Sequence, residues 1–320
     1  MRERSGAGLG LALLSAVTFA TSGTFARPLV TGEWSAVAVV IARVGIAALV
    51  LAVPALLALR GRWPVLRRTG LTVVLFGLLG VAMAQACFFN AVRYLPVGVA
   101  LLLEYLGIVL VVGWMWLVHG QRPRLLTVAG SLTALAGLVL VLDLTGAGRL
   151  DPVGVLWGLG AGIGLAGYFV IAGRIDADLP SVVMASGGMA VGAVALLLLG
   201  AVGILPLAAG TAEVSFAGHR MSWLVPIAGL SLIAAVVAYL TGVAAARLLG
   251  ARLASFVGLT EVMFAVLIAW LVLNELPSAI QLVGGVLIVG GVALVRVDEL
   301  RAGPGTAAPV TAEPALAGER

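Results

Sequence analysis

Residues 247–295 read RLLGARLASFVGLTEVMFAVLIAWLVLNELPSAIQLVGGVLIVGGVALV, and a related text stands 154 residues earlier. That text, residues 93–141, is RYLPVGVALLLEYLGIVLVVGWMWLVHGQRPRLLTVAGSLTALAGLVLV. Arg93/Arg247, Leu95/Leu249, Ala100/Ala254, Val112/Val266, Trp116/Trp270, Leu117/Leu271, Val118/Val272, Pro123/Pro277, Gly130/Gly284, Gly137/Gly291, Leu140/Leu294 and Val141/Val295 coincide. A chain so rich in Ala, Leu, Val and Gly matches itself by accident at many such positions. Trp and Pro are scarce by comparison, so the paired Trp-Leu-Val, followed five residues later by Pro, points to an internal duplication. Each copy reads as an apolar helix, a break marked by Pro, and a second apolar helix.

The medium in which these helices fold follows from composition. Of the 320 residues 62% are hydrophobic and 10% are charged, against roughly 45–50% and about 25% in soluble domains. Mean hydropathy is +1.18, so lipid is the solvent for most of the chain. A net charge of +5 would suggest nucleic acid in a soluble protein. Here the basic residues lie between apolar runs, where they act as topology signals, and no nucleic-acid partner is expected. All nineteen are Arg, which together with abundant Ala and Gly fits a GC-rich, bacterial genome. The single cysteine, Cys87, excludes an internal disulfide.

Ten apolar runs emerge, each close to the roughly 20 residues that a spanning helix needs. They cover 8–26, 35–59, 70–92, 96–118, 125–144, 152–173, 180–203, 222–246, 252–273 and 278–296. The first, after Arg2 and Arg4, has the look of a secretory signal. Its length, its Thr18, Thr21, Ser22 and Thr24, and the nine spans after it favour an uncleaved helix. Alternate connections, with the two ends, hold fourteen of the arginines and the other set holds four, with Arg43 inside run two. The excess places both termini in the cytoplasm of a multi-pass cell-membrane protein, with Leu205–Met221 outside.

Runs four and five return as runs nine and ten, five spans later. An odd number of spans per copy turns the second copy upside down. The expected fold is an all-α membrane protein of ten transmembrane helices in two inverted five-helix repeats, a signature of secondary transporters. The expected organisation is a short cytoplasmic N-terminus over 1–7, repeats over 8–144 and 152–297, and a cytoplasmic tail over 298–320. From Ala302 that tail is dominated by Ala, Gly, Pro and Thr, a disordered composition.

Several local patterns resemble those of the drug/metabolite transporter superfamily, specifically its EamA-type members. They are Phe88-Phe89-Asn90-Ala91, Tyr94-Leu95-Pro96 with Ala100, Glu104-Tyr105-Leu106, and Glu261 with Asn274-Glu275 and Pro277 beyond it. Val262 and Gly107 stand where the family usually has Pro, and Gly120-Gln121 and Asn274-Glu275 where it usually has Gly-Glu. The resemblance covers roughly 8–297 and implies a transporter of small metabolites, such as amino acids or related compounds, working outward by alternating access.

Three charges fall inside spans: Arg43 in run two, Glu104 in run four and Glu261 in run nine. Each costs at least about 2.5–3.5 kcal/mol at the bilayer centre, so each should face protein or water. As cavity residues they would bind polar solute or exchange protons; as structural residues Arg43 would be a counter-ion to one Glu. Glu104 lies eight residues past Pro96, about 12 Å along a helix, with Leu101, Ile108 and Met115 on its face as an expected apolar lining. Gln85 and Tyr239 lie deepest among the polar groups and, with Tyr168, complete the candidate substrate and proton pathway. Asn90 and Trp157, nearer the ends, suit capping or the interface.

Enzymatic chemistry finds no support. His119 and His219 fall in connections, no nucleophile, zinc-protease or Walker motif occurs, and Asp143, Asp151, Asp176 and Asp178 lie near helix ends. The stretch Gly162-Ile-Gly-Leu-Ala-Gly167 spells the dinucleotide fingerprint, but no strand precedes it and its glycines continue through an apolar span. No cofactor or metal is expected. The expected partners are a small-molecule substrate, the lipid bilayer and protons, the oligomeric state being open. A secondary transporter is the leading reading. A non-transporting membrane component that docks or stabilises a partner protein, and a channel-like facilitator, are the alternatives.

Overall fold

A computed structural model of the chain describes residues 2–95, 97–120, 122–142, 151–176, 178–216, 218–273 and 278–302. Pro96, Gln121, the Asn274–Pro277 stretch, Asp143 and the tail from residue 303 lie outside them. Ten helical segments follow one another. They are α1 (Arg2–Val30), α2 (Ala36–Ala58), α3 (Trp63–Ala91), α4 (Val97–Tyr105 and Gly107–His119), α5 (Leu125–Val141), α6 (Pro152–Ala172), α7 (Ser181–Ala201), α8 (Leu224–Leu249), α9 (Ala251–Gly258 and Thr260–Leu273) and α10 (Ala279–Ala302). Among the described residues nine are long and apolar enough to cross a membrane, and α5 is a shorter apolar helix.

The helices start and stop for local reasons. Asp151 caps α6 by accepting from the Val153 and Gly154 amides, with Pro152 at the first helical position where no N–H is needed. Ser35 caps α2 in the same way through the Ala38 amide. Gly120 ends α4 in a left-handed conformation at φ 65°, a backbone state that glycine enters without a Cβ clash. Helix α10 continues to Ala302, beyond the expected end at 296. Asp298 is buried there and accepts a 2.6 Å hydrogen bond from Thr127 of α5, which holds the extra turn against the bundle.

The packing is that of a membrane bundle. Large apolar side chains face outward, as Leu49 (74% exposed), Leu117 (82%) and Leu125 (84%) do, while the interior is dense in Ala and Gly. Without a hydrophobic gain between helices in lipid, small residues that let backbones meet become the adhesive. The α5–α10 seam shows this best. A Cβ on Gly130 would stand 2.7 Å from the Gly291 carbonyl oxygen, and one on Gly137 would stand 2.5 Å from that of Gly284. The reverse pairs are just as close.

Those four glycines also establish the symmetry. Gly130 and Gly284 are equivalent under the 154-residue offset, as are Gly137 and Gly291, and each touches the other's equivalent. This exchange is the mark of a two-fold axis between the copies. Contact of 130 with 291 and of 137 with 284 makes α5 and α10 antiparallel, so the copies are inverted.

The offset reaches further. A π-helical turn interrupts α3 at Phe76–Met83 and α8 at Leu232–Val237, and the two end at equivalent residues, Met83 and Val237. Helix α4 breaks at Leu106 and α9 at Leu259, again nearly equivalent places.

Beyond the helices, the connection 205–221 contains a hairpin of β1 (Val214–Phe216) and β2 (His219–Met221). Alternation explains it: Val214 is buried, and Phe216 stacks on Phe25 of α1 at 5.7 Å. Gly218 at φ 80° turns the chain. Ser35 pins the same connection to the α1–α2 turn, its amide donating to the Ala208 carbonyl at 2.8 Å.

Candidate functional site

A cavity of about 190 Å³ lies between the two repeats. Helices α1 to α4 of the first repeat and α6, α8 and α9 of the second supply its walls. Arg43, Gln85, Glu104, Tyr168, Tyr239 and Glu261, the six pathway candidates, all line it. Asn90 and Trp157 do not. Asn90 donates to the Ala86 carbonyl one turn back and accepts from Arg93, so it closes the end of α3.

Arg43 reaches its place through a helical irregularity. Its Nη2 donates to the Ala234 carbonyl at 2.6 Å, within the π-helical turn of α8. Its guanidinium carbon sits 5.4 Å from the Phe19 ring centroid, a cation–π contact with α1. Phe19 meets Tyr239 edge-on at 5.0 Å, Tyr239 meets Tyr168 at 5.9 Å, and Tyr168 meets Phe169 at 5.0 Å. An aromatic wall therefore runs from the guanidinium to α6. The equivalent π-turn of α3 is filled differently, with Gly80 packed against Tyr168.

The two acids differ in their surroundings. Glu261 interacts with the charge of Arg43, and Tyr105 of the other repeat lines the cavity with it. Glu104 feels the like charge of Glu261 and, among the described residues, has neither an ion pair nor a hydrogen bond. The charge of Arg43 acts on Glu261 from across the cavity. The acids are not symmetry mates. Gly258 stands at the position equivalent to Glu104, and Gly107 at that equivalent to Glu261. Gln85 and Tyr239, by contrast, are equivalent under the same offset and face the cavity together.

The lining around Glu104 is not the one its helical face predicts. Leu101 reaches the cavity, but Ile108 packs with Leu138 and Ile288 of α5 and α10. Met115 packs with Ala166 and Ala251. Residues beyond Leu106 on that face therefore pack between helices and do not line the cavity. The walls are completed instead by Ser15, Phe19, Ser22, Phe88, Tyr105 and Phe169. Of these, Tyr105 stands next to Glu104 in the chain, the one signal in the sequence that points to it.

Three donors in this lining are buried without an acceptor: Arg43 Nε, the Tyr168 hydroxyl and Ser22 Oγ. A buried donor left unpaired costs about 1–3 kcal/mol, so such groups are expected where solute or water supplies the acceptor. The glycines of α6 have a packing role. Gly162 lies against the Leu103 carbonyl of α4 and Gly164 against Ala84 of α3, with no strand before them among the described residues.

The model of the EamA-like transporter family matches residues 6–143 and again 152–297. The chain belongs to that family. Its members are transporters of the drug/metabolite transporter superfamily, and the double match coincides with the two structural copies. No curated protein matches the sequence. A solved crystal structure is similar over 93% of this chain and 99% of its own, with a TM-score of 0.73 and 21% identity. That likeness concerns the fold. EamA-type architecture in a multi-pass membrane protein implies a small-molecule substrate crossing a lipid bilayer.

Proposed function

We propose that the chain is a secondary transporter that exports a small zwitterionic metabolite, an amino acid or a related compound, in exchange for protons. The observation that carries this reading is the cavity between the inverted copies, lined both by unpaired donors and by two acids. Arg43 Nε, the Tyr168 hydroxyl and Ser22 Oγ would receive a carboxylate. Glu104 would receive an ammonium group, and Phe19, Phe88 and Phe169 would pack the remainder.

Alternating access follows from the symmetry. Two copies related by inversion can exchange conformations, opening the same midplane site first to one side and then to the other. The helix breaks at Leu106 and Leu259 beside the acids, and the π-turns beside Arg43 and Tyr168, are the places where the helices can bend. Arginine asymmetry in the connections orients the protein with both termini in the cytoplasm of a bacterial cell membrane and the β-hairpin outside. Glu104, without a counter-charge, is the acid suited to release its proton when the ammonium group arrives.

Counterflow in proteoliposomes tests the reading. A carrier exchanges external labelled amino acid for unlabelled amino acid inside, whereas a docking component does not. A thermal-shift screen against a metabolite library identifies the solute, since a bound ligand raises apparent stability.

A further inference from the structure

Where α2 gives way to α3 the chain reads Arg60-Gly-Arg-Trp-Pro-Val-Leu-Arg-Arg68, and no acid occurs anywhere from Trp34 to Leu103. Gly61, at φ 74°, closes a tight turn in which the Arg62 amide donates to the Leu59 carbonyl at 2.8 Å. The turn holds the exposed Arg60 and Arg62 within a few residues of the exposed Arg67. Arg68 takes the two acids that the α6–α7 connection brings to this corner, Asp176 and Asp178. Among the described residues Arg60, Arg62 and Arg67 form no ion pair.

The helix that follows continues the pattern in apolar form. Trp63, Arg67, Leu71, Val74 and Leu75 recur every three or four residues and so share one face of α3. All five are exposed, Trp63 by 50% and Leu71 by 71%. From Trp63 to Leu75 this face runs about 18 Å at the rise of a helix, against about 15 Å for half of a hydrocarbon core. The indole at its head is a side chain suited to the membrane–water interface. One leaflet's depth of apolar surface therefore ends in an indole and three unpaired cations.

We propose that this end of α3 is a binding site for one anionic phospholipid. Arg60, Arg62 and Arg67 hold the phosphate head, Trp63 lies beside it at the interface, and the acyl chains follow Leu71, Val74 and Leu75. Charge selects the occupant. A basic residue at a membrane surface favours acidic lipid about five-fold, and here three such residues stand together with the nearby acids already engaged by Arg68. A zwitterionic lipid would bring its own cation to a surface that lacks free acids to receive it. In the orientation proposed above the lipid belongs to the cytoplasmic leaflet. The site lies outside the cavity and does not depend on the transport reading.

The test is native mass spectrometry of the full chain in detergent, supplied with phosphatidylglycerol or with phosphatidylcholine of the same acyl chains. The wild type is expected to retain one phosphatidylglycerol about ten-fold or more over phosphatidylcholine. Replacing Arg60, Arg62 and Arg67 together by Gln should bring that ratio to about one, and each single Gln should lower it about five-fold. The three substitutions to Lys keep the charge and should keep the preference. Arg122→Gln with Arg124→Gln removes two exposed charges elsewhere and should leave it intact. The substituted side chains are exposed, so the variants should fold, and the single substitutions decide the matter if the triple variant does not. Equal retention of the two lipids by the wild type overturns the site. So does a preference that survives the triple Gln variant, or one that falls as far in the Arg122/Arg124 variant. A lipid-free dimer that the triple Gln variant abolishes would give this face to a second copy of the chain and overturn the proposal as well.

Discussion

Gly137 of α5 rests against Gly284 of α10 so closely that a Cβ on either would meet the other's carbonyl oxygen at 2.5–2.6 Å. The contact is backbone on backbone, with no flexible side chain to yield. Because the two glycines lie on antiparallel copies of one helix, the seam they form ties the repeats together. Gly137→Leu should therefore cost about 1–3 kcal/mol, the usual range for overpacking. Gly290→Leu, on the same α10 but with open space around it, should be neutral. Thermal unfolding of the two purified variants in detergent checks the difference.

The bond from Arg43 to the Ala234 carbonyl and its interaction with Glu261 give a second expectation. Removing one partner of a buried charge pair costs about 3–5 kcal/mol, because the other charge is left uncompensated. Arg43→Met should be strongly destabilised. Adding Glu261→Gln should restore part of the loss, since the orphaned charge goes with it. A double-mutant cycle on unfolding measures the coupling, and additive effects would mean that the two side chains do not act as a pair.

Architecture was legible in the sequence because lipid imposes few choices. Long apolar runs must be helices, and Trp116/Trp270 with Pro123/Pro277 exposed the duplication that the glycine seam displays. The six pathway candidates were legible for the same reason, since a polar group deep in an apolar run has to turn inward. Tyr105 was not. The face of Glu104 runs on to Ile108 and Met115 in the sequence, but those two pack against neighbouring helices, and Tyr105 lines the cavity in their place. The hairpin was equally hidden, because strands of three residues are too short for alternation to stand out from a loop.

Orientation can be checked with single cysteines, because the native Cys87 is buried and can be replaced by Ser. Ser215 on β1 and Arg62 before α3 are both exposed and lie at opposite ends of the bundle. Ser215→Cys should react with a membrane-impermeant maleimide in intact cells. Arg62→Cys should react only after permeabilisation. The reverse pattern would place the termini outside.

Near the start of α3, Arg68 bridges Asp176 at 2.7 Å and Asp178 at 3.2 Å, in the connection between α6 and α7. Arg68 is 61% exposed, and exposed pairs contribute about 0–1 kcal/mol. Arg68→Ala should leave the unfolding temperature nearly unchanged at physiological salt. A large loss would show that this link carries more of the fold than its exposure allows.

The most direct measurement concerns Glu104, the one acid in the cavity without a counter-charge. Everted membrane vesicles, interior acid, are given a radiolabelled amino-acid mixture, and uptake is compared between the wild type and Glu104→Gln. The substitution keeps the shape and fixes the neutral state. Gradient-driven uptake should be present in the wild type and absent in the variant, with the variant still folded and still able to exchange labelled for unlabelled solute. Uptake that survives in Glu104→Gln with its pH dependence unchanged would contradict proton coupling through this residue and leave a facilitator in its place.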